Sequence, residues 1–258
     1  MGLVLDKGVW QLQADGCNVT LMASMDFAAL ASASWSDTTF TVDGVDVLVV
    51  NSARADTIGP DGSNGVVMDS KTGTTHEADA RDTCRLEIDL QDLFAVGTWY
   101  LTTPMWVVLE FAAALDPSTT TTRTLELGVD TGTGAGSGIN LCACLLRGAA
   151  GGAEAGGFRS VPGSDVASAM TALTPAWLGI LIEPANVQAF GGTGAPPSSP
   201  QAADHLSPAA GLTVTQAQSP GVFTVEAAQA ASRNVYVAVA GKWGTAPVLK
   251  RLSAYTLR

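Results

Sequence analysis

Charge is scarce in this chain. Of its 258 residues only 14% are Asp, Glu, Lys or Arg, against 47% hydrophobic. Disordered chains show the opposite balance, low hydrophobicity with high charge, so a packed core is expected. Basic side chains are the rarer kind, 13 against 24 acidic ones, for a net charge of −11. The deficit is concentrated, because residues 1–116 hold 17 of the acidic side chains and only 5 of the basic ones. Such a half repels a phosphate backbone and no basic stripe offsets it, which excludes nucleic acid as a partner. Aromatic residues are few, at 6%. The core must therefore be assembled from many small Ala, Val and Leu contacts.

Long apolar runs are also missing. The longest, Met105 to Leu115, is interrupted by Glu110 and falls short of the roughly 20 residues a membrane helix needs. The opening Met1-Gly2-Leu3-Val4-Leu5 meets Asp6 and Lys7 at once, too soon for the apolar region of a secretory signal. Cytosolic synthesis without membrane insertion is the expectation. Without a secretory signal, the glycosylation sequon Asn18-Val19-Thr20 carries little meaning.

Cysteine and histidine are too few, and too scattered, for the familiar chemistries. Cys17, Cys84, Cys142 and Cys144 offer one Cys-x-Cys and two distant singles, whereas structural zinc wants two close pairs. Buried, reduced thiols are expected instead. His76 and His205 stand alone in polar segments, His76-Glu77 lacks the second histidine of a zinc-protease helix, and no Gly-x-Ser-x-Gly elbow exists. A Ser-His-Asp triad therefore has no positioned base. The run Thr131-Gly132-Thr133-Gly134-Ala135-Gly136-Ser137-Gly138 has neither the lysine nor the following helix of a phosphate loop, and reads as an inter-strand connection. Asp56, Asp61, Asn64 and Asp69 are hard oxygen ligands of the kind calcium takes, but their spacing is not that of an EF-hand, and an ordinary polar loop is expected. No cofactor and no metal site are assigned.

What the chain does have is alternation. Thr38-Thr39-Phe40-Thr41-Val42-Asp43-Gly44-Val45-Asp46-Val47-Leu48-Val49 places Asp-Gly between two alternating runs. That pattern predicts a two-residue type I′ hairpin pairing Val42 with Val45, Phe40 with Val47 and Thr38 with Val49. Phe40, Val42, Val45, Val47 and Val49 then share one face, and Thr39, Thr41 and Asp46 the other. The same period recurs at Leu86-Ile88-Leu90, Leu125-Leu127-Val129, Ile139-Leu141-Ala143-Leu145 and Val235-Val237-Val239. Further strands are expected at Met105–Phe111, Trp177–Ile182, Leu212–Thr215, Val222–Val225 and Val248–Tyr255. Helix signals are confined to Ser164–Leu173, with Ser164-Asp165 as a cap, and to Glu226–Ala231.

These elements predict an all-β fold, an antiparallel β-sandwich or jelly roll with one or two short helices at most. A single domain over 1–258 is expected, with long loops near 54–82 and 191–211, the second marked by four prolines and four glycines. Six tryptophans invite a sugar-stacking role. Trp106 and Trp177, within apolar strands, read as core; Trp35 and Trp243, beside polar or Gly residues, are the better candidates for exposure, and at each of the six, Trp10 and Trp99 included, the core or interface reading leads.

Glu87-Ile88-Asp89-Leu90-Gln91-Asp92 resembles the Glu-x-Asp-x-x-Glu strand of laminarinase-like glycoside hydrolases. The resemblance implies Glu87 as nucleophile, Asp89 as its orienting partner and Asp92 in the place of the acid/base glutamate. It covers six residues and departs at the last. Retaining hydrolysis holds its carboxyl groups about 5–5.5 Å apart. Five residues of strand span about 16 Å and turn the end side chains to opposite faces unless a bulge intervenes. The plain reading is the solvated face of a half-buried strand.

Over its whole length the chain is similar in style to virion structural proteins of tailed bacteriophages: Ala/Gly/Thr-rich strands, few lysines, long Gly/Pro/Ser loops and a strand-like ending at Val235–Val239 and Leu249–Arg258. That resemblance implies a non-enzymatic head decoration, fibre or tail component in the virion, with other virion proteins and copies of itself as partners and host-surface glycan as a further contact. A glycan-binding module and the hydrolase using Glu87, Asp89 and Asp92 are the alternatives. The basic end, Lys242, Lys250, Arg251 and Arg258, suggests either a solvated last strand or a contact with an acidic patch on a neighbouring copy.

Overall fold

The computed structural model describes residues 2–6, 9–13, 19–29, 39–50, 57–69, 84–89, 92–93, 105–113, 115, 123–130, 140–148, 154–160, 164–168, 176–182, 187–192, 194–198, 234–240 and 245–257. The strands, in chain order, are β1 (Gly2–Asp6), β2 (Val9–Gln13), β3 (Val19–Asp26), β4 (Thr39–Val42), β5 (Val45–Val50), β6 (Thr57–Pro60), β7 (Val66–Asp69), β8 (Cys84–Asp89) and β9 (Met105–Phe111). They continue as β10 (Arg123–Asp130), β11 (Asn140–Gly148), β12 (Glu154–Ser160), β13 (Ser164–Ser168), β14 (Trp177–Ile182), β15 (Val187–Gly192), β16 (Asn234–Ala240) and β17 (Val248–Leu257). A 3-10 turn, Phe27–Ala29, follows β3.

Two antiparallel sheets make a β-sandwich. The eight-stranded sheet runs β13-β12-β11-β10-β16-β8-β5-β4. The seven-stranded sheet runs β15-β14-β9-β17-β7-β6, with β3 also pairing β17. Among the described residues, strands β1 and β2 pair only with each other. The ten residues of β17 meet β9 on one side, and on the other they meet β7 at Val248–Leu249 and β3 from Arg251 to Leu257.

Period-two alternation explains the layers. On the eight-stranded sheet Phe40, Val42, Val45, Val47, Val49, Leu86, Ile88, Leu125, Leu127, Val235, Val237 and Val239 turn inward. They meet Met105, Val107, Leu109, Phe111, Leu178, Ile180, Leu252 and Ala254 from the seven-stranded sheet. Fully burying one such side chain is worth about 1.5–3 kcal/mol, so this shared interior is what holds the sheets together. The predicted hairpin is present: Val42 pairs Val45 and Phe40 pairs Val47, with φ of 49° at Asp43 and 82° at Gly44. Thr38 lies outside the described residues.

Three expectations are corrected. Ser164-Asp165 does not cap a helix; Ser164–Ser168 is β13, antiparallel to β12 with Val166 opposite Phe158. The open backbone edge of β12 offers a full ladder, which outweighs a weak capping signal. The segment expected as a loop over 54–82 contains the β6–β7 hairpin. Its turn uses Gly62 and Gly65 at φ of 55° and 140°. A Cβ on Gly65 would stand 1.9 Å from the Leu249 carbonyl oxygen, so only glycine lets this turn lie against β17. Likewise, Gly191 and Gly192, placed in the second loop, belong to β15. The expected strands at 212–215 and 222–225 and the expected helix at 226–231 lie outside the described residues.

Candidate functional site

The outward face of the eight-stranded sheet was expected to be wet where β8 crosses it. At its centre it is not. Arg85 is 1% exposed and Glu87 2%, on β8; Glu126 is fully buried on β10; Asn234 and Tyr236 are buried on β16 between them. Each alternates with a residue of the hydrophobic interior, so all five point away from the second sheet.

Register assembles them. Tyr236 stands opposite Glu87 on one side and Gly128 on the other, and Ala238 stands opposite Arg85 and Glu126. The small Gly128 and Ala238 leave room for diagonal contacts, which long side chains reach across a sheet. The Tyr236 hydroxyl donates to Glu126 Oε2 at 3.0 Å. The Arg85 guanidinium carbon lies 4.3 Å from the centroid of the Tyr236 ring, a cation–π contact. Arg85 Nε is 2.6 Å from Glu87 Oε1. A polar row, Glu87–Arg85–Tyr236–Glu126, thus crosses three adjacent strands.

Of the three carboxylates singled out by the hydrolase resemblance, Glu87 and Asp89 share this face, Asp89 being only partly buried and opposite Asn234. Asp92 lies beyond the end of β8 and is exposed. Asp61 and Asn64 sit together in the β6–β7 turn, where Asn64 Nδ2 donates to Asp61 Oδ2 at 3.2 Å. Asp69 is at the far end of β7, opposite Thr57, and Asp56 lies outside the described residues. Among the described residues no three Asp, Glu, His or Cys side chains are grouped to hold a metal ion. Cys84 is buried. His76, His205, Cys17, Trp35, Trp99 and Trp243 lie outside the described residues. The glycine run at 131–138 connects two antiparallel neighbours, β10 and β11.

Trp106 and Trp177 are buried, though not between the sheets. They form a second cluster with Val108, Leu181, Phe190 and Leu257 on the outward face of the seven-stranded sheet. The Trp106 ring packs so closely on Gly179 that an added Cβ would meet it at 2.0 Å. Trp106 Nε1 donates to the Pro197 carbonyl oxygen at 3.0 Å, so part of the segment expected as the second long loop covers this cluster.

The cations Lys250 and Arg251 are engaged within the chain. Lys250 Nζ is 2.7 Å from Glu110 Oε1, and Arg251 Nη2 is 3.4 Å from Asp26 Oδ2. Both side chains stay partly exposed, at 41% and 42%. Arg258 and Lys242 lie outside the described residues.

Sequence reading missed the polar row because its members come from three strands 110 residues apart at the Tyr236–Glu126 bond. The available signal was one charged or aromatic polar residue between paired valines or leucines: Glu126 between Leu125 and Leu127, and Tyr236 between Val235 and Val237.

Fold and row together define a two-layer antiparallel β-sandwich with a polar seam on one outer face. No family model and no curated protein matches the chain. Among solved structures it is similar to the CBM2 module of the evolved Dit of Lactobacillus casei BL23 phage J-1, at 6% identity and a TM-score of 0.46, over 93% of this chain and 96% of that one. It is similar to a carbohydrate esterase from Shiga toxin-encoding bacteriophage phi24B, at 16% identity and 0.42, over 93% and 99%. It is also similar to the endo-1,3-beta-glucanase of Streptomyces sioyaensis, at 10% and 0.43, over 96% and 98%. Binding modules and enzymes stand side by side in that set, and at these scores the likeness carries no argument about ligand or reaction.

Proposed function

We propose that this chain is a non-enzymatic structural β-sandwich of a tailed-phage virion, acting through contacts with other virion proteins and with copies of itself. The observation that carries the non-catalytic half is the state of Glu87. A nucleophile must reach the anomeric carbon of a sugar, yet this carboxylate is 2% exposed and has the Arg85 guanidinium 2.6 Å away. Asp92, in the place of the acid/base glutamate, is off the strand and exposed. The pair lies within β8, and the contact of Arg85 with the Tyr236 ring ties that strand to β16.

Support for contact with other chains comes from β3. Leu21 and Val19 there are 53% and 38% exposed, the large hydrophobics that stand open among the described residues. The test has two arms. Antibody labelling of purified particles, with the oligomer mass of the isolated protein, should find the chain in the virion and in more than one copy. A stable monomer absent from every particle would end the assembly reading. Separately, the protein should leave β-1,3-glucan intact, and cleavage that disappears in Glu87→Gln would replace this reading with the hydrolase.

A further inference from the structure

A cleft of about 270 Å³ opens where the β6–β7 turn, the residues after β9 and the residues leading into β17 meet. Asp61, Asn64 and Thr245 supply its polar wall, and Ala112, Leu115 and Pro247 are among its apolar residues. Its size sits just under the roughly 300–1,000 Å³ of pockets that take drug-sized ligands, so the fitting occupant is small.

The walls are held by backbone. Asp61 N–H donates to the Gly65 carbonyl at 2.8 Å and Asn64 N–H to the Asp61 carbonyl at 2.9 Å, which fixes the turn. Gly65 rests against Leu249, where no Cβ fits. Met68 N–H donates to the Pro247 carbonyl and Ala112 N–H to the Val248 carbonyl, each at 2.9 Å, which ties the other walls to the same strand. A cleft framed this way needs little ordering when a ligand enters.

Its hydrogen-bonding character is weighted toward acceptors, with the second Asn64 amide N–H and the Thr245 hydroxyl as donors beside them. Asn64 gives one amide N–H to Asp61 Oδ2. That leaves the second carboxylate oxygen of Asp61 and the carbonyl oxygen of Asn64 as acceptors, with the Thr245 hydroxyl beside them. Among the described residues the lining includes no cation. A phosphate, sulfate or uronate would meet a carboxylate with nothing to neutralise it, so anions are disfavoured. A donor-rich ligand with apolar C–H surfaces fits both walls.

We propose that this cleft binds a hydroxyl-rich ring of single-sugar size without negative charge, two of its adjacent hydroxyls donating to Asp61 and Asn64. The inference goes beyond the assembly reading and holds whether or not the chain is part of a particle. Free sugar and the terminal unit of a glycan share this chemistry.

The experiment is amide-resolved NMR of the isolated full chain, titrated with glucose, galactose and mannose, and with glucuronate as the anionic control. At least one neutral hexose should shift the amides of Asp61, Asn64 and Thr245, with glucuronate weaker. Asp61→Ala should weaken binding about tenfold or more and Asp61→Asn by less, as loss of a charged hydrogen bond implies. Melting curves matching the parent would show that these variants fold. A glycan array probed with and without the free hexose separates the two sources. Absence of binding by every neutral sugar, undiminished binding by folded Asp61→Ala, or preference for glucuronate would each overturn the proposal.

Discussion

Asp43 and Asp26 join the two sheets: the Asp43 carboxylate accepts a hydrogen bond from the Asp26 backbone N–H at 3.0 Å. Asp43 therefore has two duties, because it also holds φ of 49° at the first turn position of the β4–β5 hairpin. The duties separate by substitution. Asp43→Asn keeps an acceptor and tolerates that φ, and should cost only a few tenths of a kcal/mol. Asp43→Gly loses the bond alone, about 0.5–1 kcal/mol for a tie near the surface. Asp43→Ala loses both and should cost about 2 kcal/mol. Urea unfolding of the three variants gives the order directly, and equal midpoints for Ala and Gly would deny the backbone contribution.

Tyr236→Phe keeps the ring under Arg85 and removes the hydroxyl that donates to Glu126. Because Glu126 is fully buried, the loss should be about 1–3 kcal/mol, larger than for a surface hydrogen bond. A midpoint within error of the parent would mean that water replaces the hydroxyl.

Breaking the buried ion pair should cost more. Arg85→Met takes the guanidinium from beside the buried Glu87 carboxylate and should destabilise by about 3–5 kcal/mol. The double variant Arg85→Met, Glu87→Met removes both charges and should recover most of that loss. If the double variant is as unstable as the single one, the pair is not self-contained and Tyr236 or Asn234 shares the charge.

On the opposite outer face, Gly179→Ala drives a methyl into the Trp106 ring. Overpacking of this kind costs about 1–3 kcal/mol. The near-ultraviolet dichroism of the tryptophans should change, since Trp106 also meets Trp177 and Phe190 edge-on at 6.3 and 5.3 Å. An unchanged spectrum would place the ring elsewhere.

What the sequence made legible was whatever depends on neighbours along the chain. The Asp43-Gly44 hairpin was readable to the residue, since a two-residue turn fixes its own register. The inward faces of β8, β10 and β16 were readable too, because alternation needs no partner. The order of those strands was not. Nothing in Val235–Val239 says that it lies between β10 and β8, so the meeting of Glu126, Tyr236 and Arg85 stayed hidden. Burial of Glu87 was hidden for the same reason, as charge alone read as solvent exposure. The β6–β7 hairpin escaped because its strands are four residues each and its turn is rich in Gly and Asp.

The central places of β16 and β17, one in each sheet, set a timetable for assembly. Strand β3 emerges early yet waits for a ladder 225 residues away at the Asp26–Arg251 pair, and β8 likewise waits for β16. Until synthesis passes residue 257, each half-sheet presents a raw edge to its surroundings, the condition in which β-rich chains mispair. Folding rates fall as contacts become more distant in sequence, so closure should be slow and late. A ribosome-arrested chain ending before β16 should stay protease-sensitive throughout, with no stable subset of strands.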